Sequence, residues 1–104
     1  MRELKSIEEF QVEKNKGKTI FFFTADWCGD CVYIKPVMPE IEAAHPDFTF
    51  IQVDRDEFID LCGELSIMGI PSFVAFENGK ETGRFVNKDR KTQAEIESFI
   101  KNLA

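Results

Sequence analysis

The chain has 104 residues, a length that suits one domain over residues 1–104 with a single core and needs neither disulfide staples nor a structural metal. Apolar residues make up 43% of it and Phe alone contributes 11, so a core built largely from rings is expected and disorder is excluded. The formal charge of −6 argues against a nucleic-acid partner, because neutralising a phosphate backbone needs clustered Lys and Arg.

Met1 to Glu9 carries acids where a signal peptide needs an apolar stretch, and no run approaches membrane-spanning length. A cytoplasmic, monomeric protein with no membrane partner is therefore expected. A short strand is placed ahead of a helix over Ser6 to Asn15, opened by the Ser6 and Glu9 capping-box pattern and ended at Gly17. Lys14, Lys16 and Lys18, interleaved with Asn15 and Gly17, read as a solvated turn. Lys18 to Thr24 is the next strand, and its run Ile20-Phe21-Phe22-Phe23 suits burial on both faces.

That strand delivers Trp27-Cys28-Gly29-Asp30-Cys31 to the edge of the sheet. Two cysteines at this spacing either close a reversible disulfide or offer two thiolates to a metal. In a chain with no sign of secretion, at the end of a buried strand, the pattern reads as a dithiol redox centre. Cytoplasmic thiols are kept reduced, which favours a cycling disulfide over a structural one. A helix is predicted from Cys28 to Ala44, bent by Pro36 and ended by Pro46. Cys28 in its first turn would gain roughly 0.3–2 kcal/mol for its thiolate from unpaired N–H groups and the helix dipole. The thiolate is the reactive form. Cys31, one turn deeper, is better shielded and lies within reach of a mixed disulfide on Cys28.

Thr49 to Asp54 is a strand and Ile59 to Leu65 a short helix, an order that implies parallel pairing with the Lys18 to Thr24 strand. Ile70-Pro71 introduces a strand over Ser72 to Phe76, and Asn78-Gly79 signals a tight hairpin into Arg84-Phe85-Val86, which pairs antiparallel. Thr92 and Glu95 form a second capping box, opening a helix with Ile96, Phe99, Ile100 and Leu103 on one face.

The chain resembles the thioredoxin family over essentially its whole length. The matching pieces are Ala25 to Cys31, Pro36, Val53-Asp54-Arg55-Asp56, Gly69-Ile70-Pro71-Ser72 and the Asn78-Gly79 hairpin. The resemblance implies an α/β fold, a three-layer α/β/α sandwich on a mixed five-stranded sheet. It implies thiol-disulfide exchange, with Cys28 attacking, Cys31 resolving, and protein disulfides as substrates. No bound cofactor is implied; reducing equivalents would come from NADPH through a flavin-dependent thioredoxin reductase. Pro71 resembles the family's cis-proline. Lacking an N–H, it leaves the Ile70 backbone free to pair with an extended substrate, with Trp27 as one wall of the groove.

Departures from the family pattern are as informative. Phe22 stands where the family usually has a buried Asp, and Gln52 where a Lys commonly accompanies it, so the usual proton acceptor for Cys31 is missing. Asp30 replaces a Pro common inside the motif and, as a solvated charge, would oppose a nearby thiolate by roughly 1 kcal/mol. Val32 removes a frequent Lys. Asn87 replaces a Gly, which points to a positive φ there.

Two rival functions fit parts of the sequence. A metal-binding module would have to use Cys28, Cys31, Cys62 and His45, one close pair and two scattered candidates, whereas structural zinc wants four ligands, typically in two pairs. A binding or chaperone-like module would keep the fold but turn over poorly because of Phe22 and Gln52. Otherwise Cys62 reads as a small buried hydrophobe, His45 as a helix cap, and the acidic run Asp54 to Glu57 as a solvated face.

Overall fold

The layout follows from alternation within the strand Lys18–Thr24, in the computed structural model, which describes residues 1–103. Ile20, Phe21, Phe22 and Phe23 are all fully buried, and successive side chains of a strand point to opposite faces, so both faces of this strand must be covered. Each fully buried Phe contributes roughly 1.5–3 kcal/mol relative to exposure.

Five strands form the sheet: β1 (Arg2–Glu3), β2 (Lys18–Thr24), β3 (Phe48–Asp54), β4 (Ser72–Glu77) and β5 (Lys80–Phe85). Their spatial order is β1-β3-β2-β4-β5. β3 runs parallel to both β1 and β2, while β4 runs antiparallel to β2 and β5. Phe22 lies opposite Gln52 on one side and Phe73 on the other.

Helices α1 (Ile7–Glu13) and α4 (Ile59–Glu64) cover one face, packing Phe10, Leu61 and Cys62 against Phe21, Phe23 and Val53. On the other face, α2 (Gly29–Ile34), α3 (Met38–Ala44) and α5 (Gln93–Lys101) bring Ile34, Ile41 and Ile96 onto Ile20, Phe22 and Phe73. The result is the expected three-layer sandwich. Among the described residues no helix is long and apolar enough to cross a membrane.

Several boundaries differ from the sequence-based expectation, each for a local reason. The predicted helix from Cys28 to Ala44 is two helices joined by a 3₁₀ turn over Lys35–Val37. Pro36 and Pro39 both lack an N–H, so the α-helical ladder cannot run through this segment. α3 ends at Ala44 because Pro46 disfavours helical geometry at His45, whose φ of −131° and ψ of 65° leave the helix. β5 begins at Lys80, earlier than expected, because Asn78 and Gly79 at φ 52° and 91° make the two-residue turn that lets pairing resume at once.

The two capping-box patterns diverge. At α5 the box is complete: Thr92 Oγ1 accepts from the Glu95 N–H at 3.1 Å, and the Glu95 carboxylate accepts from the Thr92 N–H at 2.9 Å. At α1, which spans less than the expected Ser6 to Asn15, Ser6 Oγ accepts from the Glu9 N–H at 3.0 Å. The Glu9 carboxylate turns away to the Lys5 N–H at 2.8 Å and to Arg2.

Candidate active site

β2 ends at Thr24, and four residues later Cys28 caps α2. Its backbone is extended, with φ −85° and ψ 110°, and its Sγ accepts the Cys31 N–H at 3.2 Å. The sulfur thus takes the place that a Ser or Asp oxygen takes at an ordinary helix start, and a negative charge there is favoured. Cys28 is the cap itself, one position before the first turn expected for it.

The two sulfurs differ in surroundings. Cys28 retains 8% of its surface, whereas Cys31 retains 1%. Both are free thiols, packed with Ala25 and flanked by Ile70. Burial pushes the Cys31 thiol up to about 11, and the adjoining Cys28 sulfur adds to the rise, against smaller opposing effects from Thr24 and the Ala25 backbone. Cys28 is the accessible sulfur and Cys31 the one held protonated.

A groove of about 370 Å³ opens at Cys28, lined among others by Trp27, Arg55, Met68, Ile70 and Lys88. Met68 is 85% exposed and Trp27 65%, so the rim of the groove presents apolar surface to solvent. The Ile70–Pro71 peptide is cis, as the resemblance implied. Pro71 is buried, and the Ile70 carbonyl oxygen faces the Cys28 sulfur at 3.9 Å. The segment is held from behind. Ser72 Oγ donates to the Gly69 carbonyl at 2.5 Å and lies 3.3 Å from the Asn87 carbonyl. A β-carbon on Gly69 would sit 2.5 Å from Lys88 N and 2.7 Å from Asn87 C, so only glycine permits this contact.

Trp27, expected as a wall of the groove, is fixed by a residue that sequence reasoning assigned to a solvated face. Its indole Nε1–H donates to the Asp56 carboxylate at 2.6 Å, and the Arg55 guanidinium lies 5.9 Å from its ring. The Trp27 and then the Arg55 hydrogen bonds hold the Asp56 carboxyl below its usual range. Asp54 caps this turn, accepting from the Asp56 N–H at 2.8 Å. The block Val53-Asp54-Arg55-Asp56 was the available signal.

Three further expectations are corrected. Asp30 is not a lone solvated charge: Arg90 Nε donates to it at 2.9 Å, with the guanidinium 4.1 Å from the Tyr33 ring. A cation therefore stands beside the motif even though Val32 supplies none. Asn87 does not adopt a positive φ; its side chain accepts from the Asp89 N–H and the Lys91 ammonium, both at 2.9 Å.

The four candidate metal ligands are not brought together. Cys62 lies on the buried face of α4, in the core it shares with α1, where burial raises its pKa, and His45 pairs with Glu97 of α5 on the opposite side of the sheet. Among the described residues no three His, Cys, Asp or Glu side chains converge as a metal site requires.

Comparison with known proteins gives one answer at every level. The thioredoxin family model matches residues 4–102. A thioredoxin H-type of Fagopyrum esculentum is 40% identical over 80 residues, covering 76% of this chain and 69% of that protein. The mitochondrial thioredoxin-2 of Schizosaccharomyces pombe is 31% identical over 101 residues, covering 92% and 75% respectively. Among solved structures, Plasmodium falciparum thioredoxin superposes with a TM-score of 0.88 at 25% identity, over 100% of both chains.

Proposed function

Because the chain belongs to the thioredoxin family and is a thiol-disulfide oxidoreductase, we propose that it works as a reductant of protein disulfides, with Cys28 attacking and Cys31 resolving. The observation that carries this reading is the contrast between the two sulfurs: Cys28 caps α2 at the groove, while Cys31 lies buried with its thiol pushed up to about 11. A thiolate is the nucleophile, so the sulfur placed to hold a charge starts the exchange. Once a substrate sulfur is bonded to Cys28, the charge that Cys28 could hold is gone, and its repulsion of a Cys31 thiolate goes with it.

Trp27 and Ile70 line the groove, and Pro71 orders the chain beside it. The Ile70 N–H makes no hydrogen bond within the described residues, leaving it to receive a carbonyl of an extended substrate strand. The dithiol is regenerated by a flavin-dependent thioredoxin reductase at the expense of NADPH, with no cofactor bound to this chain. The protein acts as a monomer in the cytoplasm, where a reduced thiol pool keeps such a pair cycling.

Trapping tests the assignment. Cys28→Ser should abolish reduction of a protein disulfide in the presence of NADPH and thioredoxin reductase, whereas Cys31→Ser should accumulate mixed disulfides. Trapping by Cys28→Ser, or normal turnover by Cys31→Ser, reverses the roles.

A further inference from the structure

Three charged side chains line the groove at Cys28: Asp30, Arg55 and Lys88. Two of them are already paired. Asp30 accepts from Arg90 Nε at 2.9 Å, and Arg55 Nη1 donates to the Asp56 carboxylate at 3.1 Å. Asp56 also holds the Trp27 indole, which fixes that pair on the Trp27 lip of the groove. Lys88 is exposed, and among the described residues no carboxylate forms an ion pair with its ammonium. The groove therefore carries one uncompensated charge, and that charge is positive in a chain whose formal net charge is −6.

The main chain that bears this charge is held in place. A β-carbon on Gly69 would meet Lys88 N at 2.5 Å and Lys88 Cα at 2.7 Å, so the two backbones are in contact. Asn87, the residue before, is tied on two sides: Ser72 Oγ lies 3.3 Å from its carbonyl, and its side chain accepts from the Lys91 ammonium at 2.9 Å. Gly69 adjoins Ile70, whose N–H is left to receive a substrate strand. At about 3.3 Å of rise per residue, the Lys88 side chain starts within one or two residues of the substrate cysteine that meets Cys28. Trp27, Ile67 and Met68 supply apolar walls, and low-dielectric walls concentrate the field of a charge at the lip of a cleft.

We propose that Lys88 is a specificity-determining residue: among protein disulfides it favours those with an Asp or Glu within two residues of the cysteine that Cys28 attacks. The proposal rests on the reading of the protein as a disulfide reductant with Cys28 attacking. Lys88 takes no part in making or breaking bonds. It acts on docking alone, through a carboxylate–ammonium contact that forms only in the complex. Because the contact stays partly exposed, it changes rates by a small factor, about 1.5- to 5-fold. The chain as a whole repels an acidic partner at long range, so the preference is local and follows this one residue.

The test uses disulfide-linked homodimers of a short peptide with a single cysteine, in which attack on either sulfur gives the same products. One residue, placed one or two positions to either side of the cysteine, is Glu, Gln or Lys. The rate constant for oxidation of the reduced protein by each homodimer is measured at about 20 mM and about 500 mM salt. A charge on the peptide alters its own thiol chemistry equally toward every variant. The readout is therefore the Glu-to-Gln rate ratio of the wild type divided by that of Lys88→Gln. At the most responsive position this quotient should be about threefold at low salt and fall toward one at high salt. Lys88→Arg should keep the preference, and Lys88→Glu should reverse it toward the Lys-bearing peptide. A quotient of one at every position, or one that salt leaves unchanged, overturns the proposal. A wild-type protein that the Gln-bearing homodimer does not oxidise would instead defeat the role given to Cys28, and the proposal with it.

Discussion

Arg90 Nε reaches the Asp30 carboxylate at 2.9 Å from sixty residues further along the chain. The motif's extra negative charge is therefore half of a pair, and the two partners should act on Cys28 with opposite signs. In a Cys31→Ser background, Asp30→Asn leaves Arg90 alone beside the motif, and alkylation of Cys28 at neutral pH should speed up by as much as about tenfold. Arg90→Met leaves Asp30 alone and should slow it. Rates that move in the same direction in both variants would show that charge is not the cause.

Asp56 controls the tilt of Trp27 as long as it is ionised. Its pKa is depressed from 3.8 by the indole and Arg55 hydrogen bonds, so the contact is complete above that value and is lost only as pH falls through a lower one. The Trp27 indole N–H resonance should hold its position from pH 7 to about 4 and shift below. Asp56→Ala should give the shifted position at neutral pH and raise KM for protein disulfides more than it lowers kcat. A resonance that moves near pH 5 would exclude Asp56 as the partner.

Stability of the dithiol form should depend on Cys31 in alkali. The folded protein holds this proton to about pH 11, while the ordinary thiol value is 9.0. The raised value contributes stability that is fully present below pH 9 and is lost as pH rises through 11, up to roughly 3 kcal/mol in all. Urea unfolding of the reduced wild type and of Cys31→Ser at pH 7.5 and 10.5 measures it. The wild type should lose more than the variant; equal losses count against a buried, protonated Cys31.

Cys62 has the burial of a core residue, at 3% exposure among Phe58 and Leu61. Cys62→Ala should keep most of the turnover and lose about 1 kcal/mol from the vacated volume. A folded variant with strongly reduced turnover would give Cys62 a part in the redox chemistry.

What could be read from the residues divides by range of interaction. The Asn78-Gly79 turn, the buried β2 and the cap at Thr92 rest on neighbours in the chain, and each formed as expected. The same capping pattern at Ser6 came out half-made because Arg2 and the Lys5 amide compete for the Glu9 carboxylate. The cysteine pair was legible because its spacing is itself the chemistry. Asp56, Arg90 and Asn87 were not, since the groups that give them meaning, Trp27, Asp30 and Lys91, arrive through folding or through a loop whose path local propensity does not set.

Phe22 and Phe73 stack 4.9 Å apart with their planes 13° from parallel, on the face of the sheet that α2 covers. A carboxylate introduced alone at position 22 would be stranded among rings, and an ammonium introduced alone at position 52 would lack its counter-charge. Positions 22 and 52 are thus set for an uncharged interior, and a charge placed at either one alone would cost stability.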